Sequence, residues 1–301
     1  MQKLIAGSYI LIFLLSCSSK IVQEEGPYYL SFEDSKALHR FYQYGEGEVM
    51  PIVQGHRGTI ENDLPESSIV SFEYVLAQTP AVFEIDPRLT KDSVIVVFHD
   101  ATLERTTNGK GKLIDHTWKE LQELRLKNKK GEVTEHKIHT LAEVLEWARG
   151  KTALILDKKD VPLEMIAAII REHNANSYVM NMVRSTEDAL FYYNDDPERM
   201  FSASIRKPET FQEYINAGIP KTQLFACIGT EITDETSALC NLLRKNGVRS
   251  LLAAAQVYDK IPDSTQRAEA YRKIVAAGVT IIESNYPVEM GNAIPNKKKE
   301  P

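Results

Sequence analysis

The sequence predicts an α/β protein folded as a (β/α)8 barrel of the TIM type. Short β-branched runs alternate with longer amphipathic runs over about 240 residues, close to the usual length of such a barrel. The short runs are continuously apolar, as expected for parallel strands that helices cover on both faces. Alternation of this length favours a closed barrel over an open sheet.

Nine runs are strand candidates, one more than a barrel of eight strands needs. They cover residues 52–54, 82–85, 94–98, 153–156, 178–182, 200–205, 223–228, 249–253 and 279–282. The connector 87–93 is too short for a crossover helix. Two arrangements therefore stay open. Either 85–89 and 94–98 form a hairpin-like departure from the pattern, or one candidate lies outside the barrel.

Helix candidates begin mostly after Ser, Thr or Pro, and several end at a glycine, as helix capping prefers. They cover residues 68–77, 141–149, 162–173, 186–193, 208–217, 233–246 and 266–277. Residues 101–139 are polar and rich in turn signals, which predicts a small insertion after the third strand candidate, with a short helix near 118–124. A further helix is expected near 35–44.

The amino-terminal residues predict export. Lys3 precedes an apolar run, 4–15, that is too short to span a bilayer comfortably, and the run ends in Leu-Leu-Ser before Cys17. This resembles the bacterial lipobox, in which the cysteine is lipidated. The alternative is an ordinary secretory signal with a chance cysteine. We expect an exported protein, lipid-anchored through Cys17 in the bacterial cell envelope (periplasm or outer membrane).

The predicted domain organisation follows from these assignments. It comprises a lipoprotein signal peptide (1–16), a tether and N-terminal preamble (17–50), the barrel (51–291, with its insertion at about 101–139) and a disordered tail (292–301). The net charge of −6, without a long basic run, argues against nucleic acid as a partner. A small anionic substrate needs only a local positive pocket. Cys227 and Cys240 are expected to be core thiols rather than a disulfide.

Ionisable side chains follow the first four strand candidates, where a barrel of this type places its active site. They are His56, Arg57, Glu84, Asp86, His99, Asp157 and Lys159. Each could cap a turn by itself, but four consecutive strands ending in His, an acid pair, His and an acid are hard to explain as structure alone. The residue types suit metal-assisted attack on a phosphodiester: an acid and a base near neutral pKa, a cation for phosphate, and oxygen ligands for a divalent ion.

Several linked motifs resemble the glycerophosphodiester phosphodiesterase family, in that family's order. They are GHRG (55–58), PE (65–66), ExDxxLTKD (84–92), VVFHD (96–100), LxRTTNG (103–109), TLxEVL (140–145) and IIESNYP (281–287). The resemblance implies a somewhat distorted (β/α)8 barrel and a bacterial lipoprotein member of the family. It also implies hydrolysis of a small glycerophosphodiester to glycerol 3-phosphate and an alcohol, with a divalent cation, Ca or Mg, as cofactor.

The resemblance assigns roles residue by residue. His56 and His99 match the acid/base pair, Arg57 the phosphate-binding arginine and Lys159 a lysine in the site, while Glu84 and Asp86 match metal ligands and Asp157 stands at a third. Glu66 matches a glutamate in the site, and capping of the following helix is the alternative. The residues do not assign which histidine is the base and which the acid.

Three positions depart from the family pattern. Ser67 replaces an asparagine, Asp157 replaces a metal-binding glutamate, and Ser284-Asn285 replaces Thr-Asp. The shorter Asp157 suits a flexible Ca site better than a tight Mg site. Because neither histidine nor the arginine is lost, we expect activity.

Two other functions remain open from the sequence. One is a related phospholipase D-like or phosphoinositide-type enzyme on the same barrel, acting on intact lipid. The other is a lipid-anchored binding module without catalysis. The ExDxxLTKD and LxRTTNG motifs favour the glycerophosphodiesterase over the first, and the intact set of ionisable residues argues against the second.

Overall fold

The computed structural model describes residues 27–44 and 49–294. The strands in these ranges are β1 (Ile52–His56), β2 (Val82–Ile85), β3 (Pro87–Leu89), β4 (Ile95–Val97), β5 (His139–Thr140), β6 (Leu154–Leu156), β7 (Val179–Val183), β8 (Met200–Ser204), β9 (Leu224–Gly229), β10 (Ser250–Ala253) and β11 (Ile281–Ser284). The α-helices are α1 (Ser35–Phe41), α2 (Ile69–Leu76), α3 (Trp118–Leu121), α4 (Leu141–Ala148), α5 (Leu163–Glu172), α6 (Thr186–Asp195), α7 (Pro208–Asn216), α8 (Asp234–Lys245), α9 (Ser264–Ala276) and α10 (Pro287–Ala293).

Eight parallel strands close into a barrel in the order β1, β2, β6, β7, β8, β9, β10 and β11, which confirms the predicted fold. β1 joins the first and last parts of the chain, because it pairs with β2 on one side and β11 on the other. In this register His56 lies beside Glu84, and Gly55 lies beside Ser284. The carboxyl ends of β1, β2 and β11 therefore meet at one mouth of the barrel.

The surplus strand candidate, 94–98, lies outside the barrel. It forms β4, which pairs antiparallel with β3 and β5 in a separate three-stranded sheet. The chain thus leaves the barrel after β2 and returns at β6, in a segment (87–140) that we call the excursion. His99 consequently follows a strand of the excursion, not the third barrel strand as expected. Asp157 follows the third barrel strand rather than the fourth.

Two hydrogen bonds hold the excursion against the barrel mouth. The backbone N–H of Phe98 donates to the carbonyl of Asp86 (2.9 Å), and the Arg88 Nη1 donates to Asp160 Oδ2, in the loop after β6 (2.8 Å). The tight connection between β3 and β4 places Ser93 in the left-handed region (φ 63°). Because β4 runs antiparallel to β3, the chain returns towards the end of β2 and brings His99 back towards Glu84 and Asp86.

The opposite, amino-terminal end of the barrel is closed by the segment before β1. The helix predicted near 35–44 is present as α1, and Leu38 and Tyr42 are buried against the first residues of the barrel strands. The Tyr42 ring stacks on Phe225 with 4.8 Å between centroids. A second, larger cluster fills the space between the strands and the outer helices. This end of the barrel is therefore packed with apolar side chains, whereas the ionisable residues lie at the opposite mouth.

Both thiols of the described chain are free, Cys227 on β9 and Cys240 on α8, as expected. None of the helices in the described ranges is long and apolar enough to cross a bilayer. The predicted signal sequence and Cys17 lie outside the described residues, as does most of the predicted tail. The first residues of that tail form the end of α10.

Candidate active site

The last residue of β1, His56, and the tight turn that follows it, with Arg57, carry the first two site residues. Arg57 adopts a left-handed conformation (φ 58°); its N–H donates to the carbonyl of Glu84 (3.0 Å), and its own carbonyl accepts from the N–H of Ser67 (2.7 Å). The flanking glycines have no room for a side chain. A Cβ on Gly55 would lie 2.5 Å from the carbonyl oxygen of Gly58, and a Cβ on Gly58, at φ 90°, would lie 2.2 Å from a serine hydroxyl of α2. The glycines of the GHRG motif thus allow the turn that aims His56 and Arg57 into the mouth.

His56 is oriented by the loop that follows β11. Its Nδ1 lies 2.8 Å from the amide oxygen of Asn285. Because an amide oxygen only accepts, the ring proton lies on Nδ1 and Nε2 is the nitrogen free for chemistry. The backbone N–H of Asn285 donates in turn to the carboxylate of Asp259 (2.6 Å), which also accepts from the buried Tyr271 hydroxyl (2.7 Å). His56 is therefore anchored, through Asn285 and Asp259, to Tyr271 on the outer helix α9.

His99 is oriented by a carboxylate instead of an amide. Its Nδ1 lies 2.7 Å from Asp100 Oδ1, so the Nδ1 proton is donated and Nε2 is again free. Burial lowers the pKa of His99, and the hydrogen bond to Asp100 offsets part of that effect. Burial acts to raise the pKa of Asp100, but hydrogen bonds from Arg105 and His99 prevail and lower it to about 2. Asp100 is thus a permanent acceptor for His99 at neutral pH.

Glu84, Asp86 and Asp157, here called the acid triad, meet at the mouth with candidate ligand atoms all within 4.8 Å of one another. Glu84 is only 4% exposed and Asp86 1% exposed. Burial, together with Asp86 and the other nearby carboxylates, raises the pKa of Glu84 well above its usual range. Glu84 Oε2 is buried without a hydrogen-bond partner among the described residues. Hard, closely spaced oxygen donors with an orphaned buried atom are what a divalent cation requires, so the residues fit the implied metal.

Cationic side chains surround the acid triad. Lys159 Nζ lies 3.0 Å from Asp86 Oδ1 and also contacts Asp157, while Arg57 Nε lies 3.4 Å from Asp86 Oδ2. Arg184, directly after β7, donates to Asp157 Oδ1 at 3.0 Å. Burial acts to raise the pKa of Asp157, but Lys159 and Arg184 prevail and lower it. The mouth thus places a cluster that could hold a metal ion beside positive charge suited to a phosphate.

Glu66 joins the site rather than capping a helix. It accepts from Arg57 Nη1 (3.2 Å) and from both terminal nitrogens of Arg105 (2.8 and 2.7 Å). The cap of α2 is Ser68, whose hydroxyl accepts from a backbone N–H of the first turn. Burial acts to raise the pKa of Glu66, yet the two arginines lower it overall. Glu66 is therefore an ionised bridge between two arginines.

The structure gathers every sequence-predicted site residue that it describes at one mouth. They are His56, Arg57, Glu66, Glu84, Asp86, His99, Asp157 and Lys159. The sequence analysis assigned no role to the partners that orient them, which are Asp100, Arg105, Arg184 and Asn285. Arg184 directly follows a barrel strand, and Arg105 lies in the LxRTTNG motif, so both carried a signal that could have found them. Which groups they touch was not visible along the chain.

Comparisons with known proteins identify the family of this chain. The family model described as "Glycerophosphoryl diester phosphodiesterase family" matches residues 56–277. A glycerophosphoryl diester phosphodiesterase structure from Parabacteroides distasonis is 46% identical, with a TM-score of 0.87, and the match covers 90% of this chain and 96% of that one. A glycerophosphodiester phosphodiesterase from Caldanaerobacter subterraneus is 28% identical over 65% of this chain and 99% of its own length.

A more distant structure shares the fold. It is an Oleispira antarctica phosphodiesterase in complex with its product sn-glycerol-3-phosphate, with 23% identity, a TM-score of 0.60, and coverage of 81% of this chain and 96% of that one. The family match spans most of the present chain, and the Parabacteroides structure is similar over nearly its whole length. The chain therefore belongs to the glycerophosphoryl diester phosphodiesterase family and is a phosphoric diester hydrolase.

Proposed function

We propose that this protein hydrolyses small glycerophosphodiesters to glycerol 3-phosphate and an alcohol, with a divalent cation and two histidines. One observation carries the proposal. Two imidazoles, His56 and His99, each have Nδ1 engaged by an acceptor, and they stand at the same mouth as a buried acid triad flanked by Arg57 and Lys159. These groups supply proton transfer, cation binding and phosphate binding within one pocket.

Charge neutralisation comes first, because an anionic phosphodiester resists nucleophiles. Arg57 presents a planar fork that can bond two phosphate oxygens, and Lys159 adds a point charge. Glu84, Asp86 and Asp157 would hold the cation, which when bound would neutralise phosphate charge and orient a neighbouring glycerol hydroxyl. The aspartate at position 157, shorter than a glutamate, favours Ca over Mg in a flexible site.

Proton transfer falls to the two histidines. With each Nδ1 held, Nε2 of one imidazole removes the proton from the attacking oxygen, and Nε2 of the other protonates the departing alcohol oxygen. Each step of this kind is worth roughly 10²–10⁴ in rate. Asn285 and Asp100 each accept the Nδ1 proton, so that Nε2 of the base is unprotonated, while the acid is an imidazolium that carries its second, transferable proton on Nε2.

We also propose that the enzyme works at a membrane surface, tethered at Cys17. Support comes from the sequence alone: Lys3, the apolar run 4–15 and the lipobox-like residues before the cysteine. One acyl chain gives only marginal membrane binding, whereas several hold a protein firmly. A tethered enzyme would meet deacylated phospholipid products close to where they form.

A substrate panel assayed with and without metal tests the function. Glycerophosphodiesters with different head groups, and the corresponding intact lipids, are incubated with the enzyme in chelator, in Ca and in Mg. We expect turnover of the deacylated substrates, release of glycerol 3-phosphate, and loss of activity in chelator. Faster turnover of intact lipid would instead favour a phospholipase D-like or phosphoinositide-type enzyme. Full activity after extensive dialysis against chelator would refute metal dependence.

A further inference from the structure

Arg105 lies in the excursion, outside the barrel, yet its guanidinium bonds two carboxylates of the mouth. Nε donates to Asp100 Oδ2 (2.6 Å), and Nη1 donates to Glu66 Oε2 (2.8 Å). Nη2 is shared, because it donates to Asp100 Oδ1 (2.9 Å) and to Glu66 Oε1 (2.7 Å). All three nitrogens are thus engaged, and both carboxylates are gripped in the bidentate manner that only an arginine fork provides.

Each of these carboxylates continues to a residue of the proposed chemistry. Glu66 Oε1 also accepts from Arg57 Nη1 (3.2 Å), and Asp100 Oδ1 also accepts from His99 Nδ1 (2.7 Å). The result is an unbroken arginine–carboxylate chain, Arg57–Glu66–Arg105–Asp100–His99. It links the turn after β1 to the loop after β4, although these strands belong to different sheets.

Fold stability does not account for Arg105. Its side chain is 49% exposed, and ion pairs at such positions contribute little to stability. The carboxylates that it grips are much less exposed, at 14% for Glu66 and 21% for Asp100. Without Arg105, Asp100 would lose two of its hydrogen bonds and Glu66 would keep only the bond from Arg57. Both would then be free to turn away from the residues that they orient.

We propose that Arg105 and Asp100 are positioning residues, and that Arg105 sets the placement of His99 and Arg57 together. Asp100 holds the Nδ1 proton of His99 so that Nε2 faces the substrate. Glu66 holds the Arg57 fork towards the phosphate. The inference rests on the proposed function, in which His99 moves a proton and Arg57 binds phosphate. In this proposal the excursion holds His99, which transfers a proton, and Arg57, which binds phosphate, in a fixed position relative to each other.

A double-mutant cycle tests the link between Arg105 and His99. The value of kcat/KM is measured for Arg105→Gln, His99→Ala and the double variant, on the best glycerophosphodiester of the panel. We expect Arg105→Gln to lower kcat/KM roughly 10- to 100-fold, as is usual when a group that orients a functional side chain is lost. The thermal midpoint should change little. In the His99→Ala background the same substitution should cost less, because one of its two targets is already gone and only the effect through Arg57 remains.

A spectroscopic measurement tests whether Arg105 orients His99 even where the double variant is too slow to assay. With ¹⁵N-labelled histidine, NMR of the wild type should show His99 protonated at Nδ1 and hydrogen-bonded. Arg105→Gln and Asp100→Asn should both weaken or abolish that signature. Arg125→Gln is the matched control, since Arg125 lies in the same excursion but donates to carbonyls of the neighbouring residues 123 and 124. It should behave as wild type in both assays.

These experiments distinguish a failure of the proposed function from a failure of the inference about Arg105. Normal turnover of His99→Ala would overturn the proposed function itself. An inactive His99→Ala beside a fully active Arg105→Gln would overturn only the inference about Arg105. Losses that multiply fully in the double variant, with an unchanged His99 signature, would likewise show that Arg105 does not act through His99.

Discussion

Replacing Glu84 by Gln removes one buried ionisable group from the acid triad, and the structure predicts opposite effects with and without metal. The folded-state pKa of Glu84 is raised well above its unfolded value of 4.5, first by burial and then by Asp86 and the other nearby carboxylates. The folded protein therefore binds more protons than the unfolded chain once the pH exceeds 4.5. In chelator, stability must then fall as the pH rises through that window.

The magnitude follows from linkage. One pKa unit corresponds to about 1.4 kcal/mol, so Glu84 lowers the free energy of unfolding by up to about 1.4 kcal/mol per pH unit above 4.5, until its folded pKa is reached. A change of 1 kcal/mol moves the thermal midpoint of a domain of this size class by roughly 2–4 °C. Glu84→Gln cannot ionise, so its stability in chelator should depend less on pH.

A bound cation should reverse the order of stability of wild type and Glu84→Gln. A ligand at 100 times its Kd stabilises the folded state by about 2.7 kcal/mol. Wild type should gain on this scale from Ca at pH 7, whereas Glu84→Gln, with one charged ligand fewer, should gain less. The assay is thermal unfolding at pH 5, 6 and 7, in chelator and in Ca. Glu172→Gln, an exposed carboxylate at the end of α5, is the control. Equal pH dependence of wild type and Glu84→Gln in chelator would refute the reasoning, as would an equal gain from Ca.

The remaining predictions concern the histidines, the first turn and the anchor. His56→Ala and His99→Ala should each lower turnover by about 10²–10⁴ with little change in thermal midpoint, and the wild-type pH–rate profile should be bell-shaped; a lowered midpoint that tracks the lost activity would indicate a structural role instead. Gly58→Ala should destabilise the protein by about 1–3 kcal/mol in urea unfolding, because of its φ of 90° and the clash with Ser71, and an unchanged midpoint would contradict this. Cys17→Ser should release the protein from membranes or block its processing, and a wild-type protein that fractionates as soluble would disprove the anchor.

Most of the fold could be predicted from the sequence because barrel strands and crossover helices carry local signals. Eight of the nine strand candidates are barrel strands, since continuous apolar runs mark strands buried on both faces. The remaining candidate was ambiguous for a physical reason. A three-residue strand such as β4 looks the same along the chain whether it pairs in parallel or antiparallel. It pairs with β3, a few residues before it, and with β5, which lies more than forty residues further along the chain.

The site likewise has features that local sequence signals predict and features that depend on contacts between distant segments. The sequence alone indicates that Glu84, Asp86 and Asp157 share one mouth, because a barrel gathers the carboxyl ends of its strands there, but it does not reveal that β2 and β6 are neighbours. The contacts that orient the site residues arise only when the chain folds. His56 depends on an amide 229 residues away, and Glu66 is bridged to Asp100 by an arginine 39 residues further along the chain. Local periodicity records which face of an element is buried, whereas a hydrogen bond depends on distances of about 3 Å that arise only once separate loops have packed together.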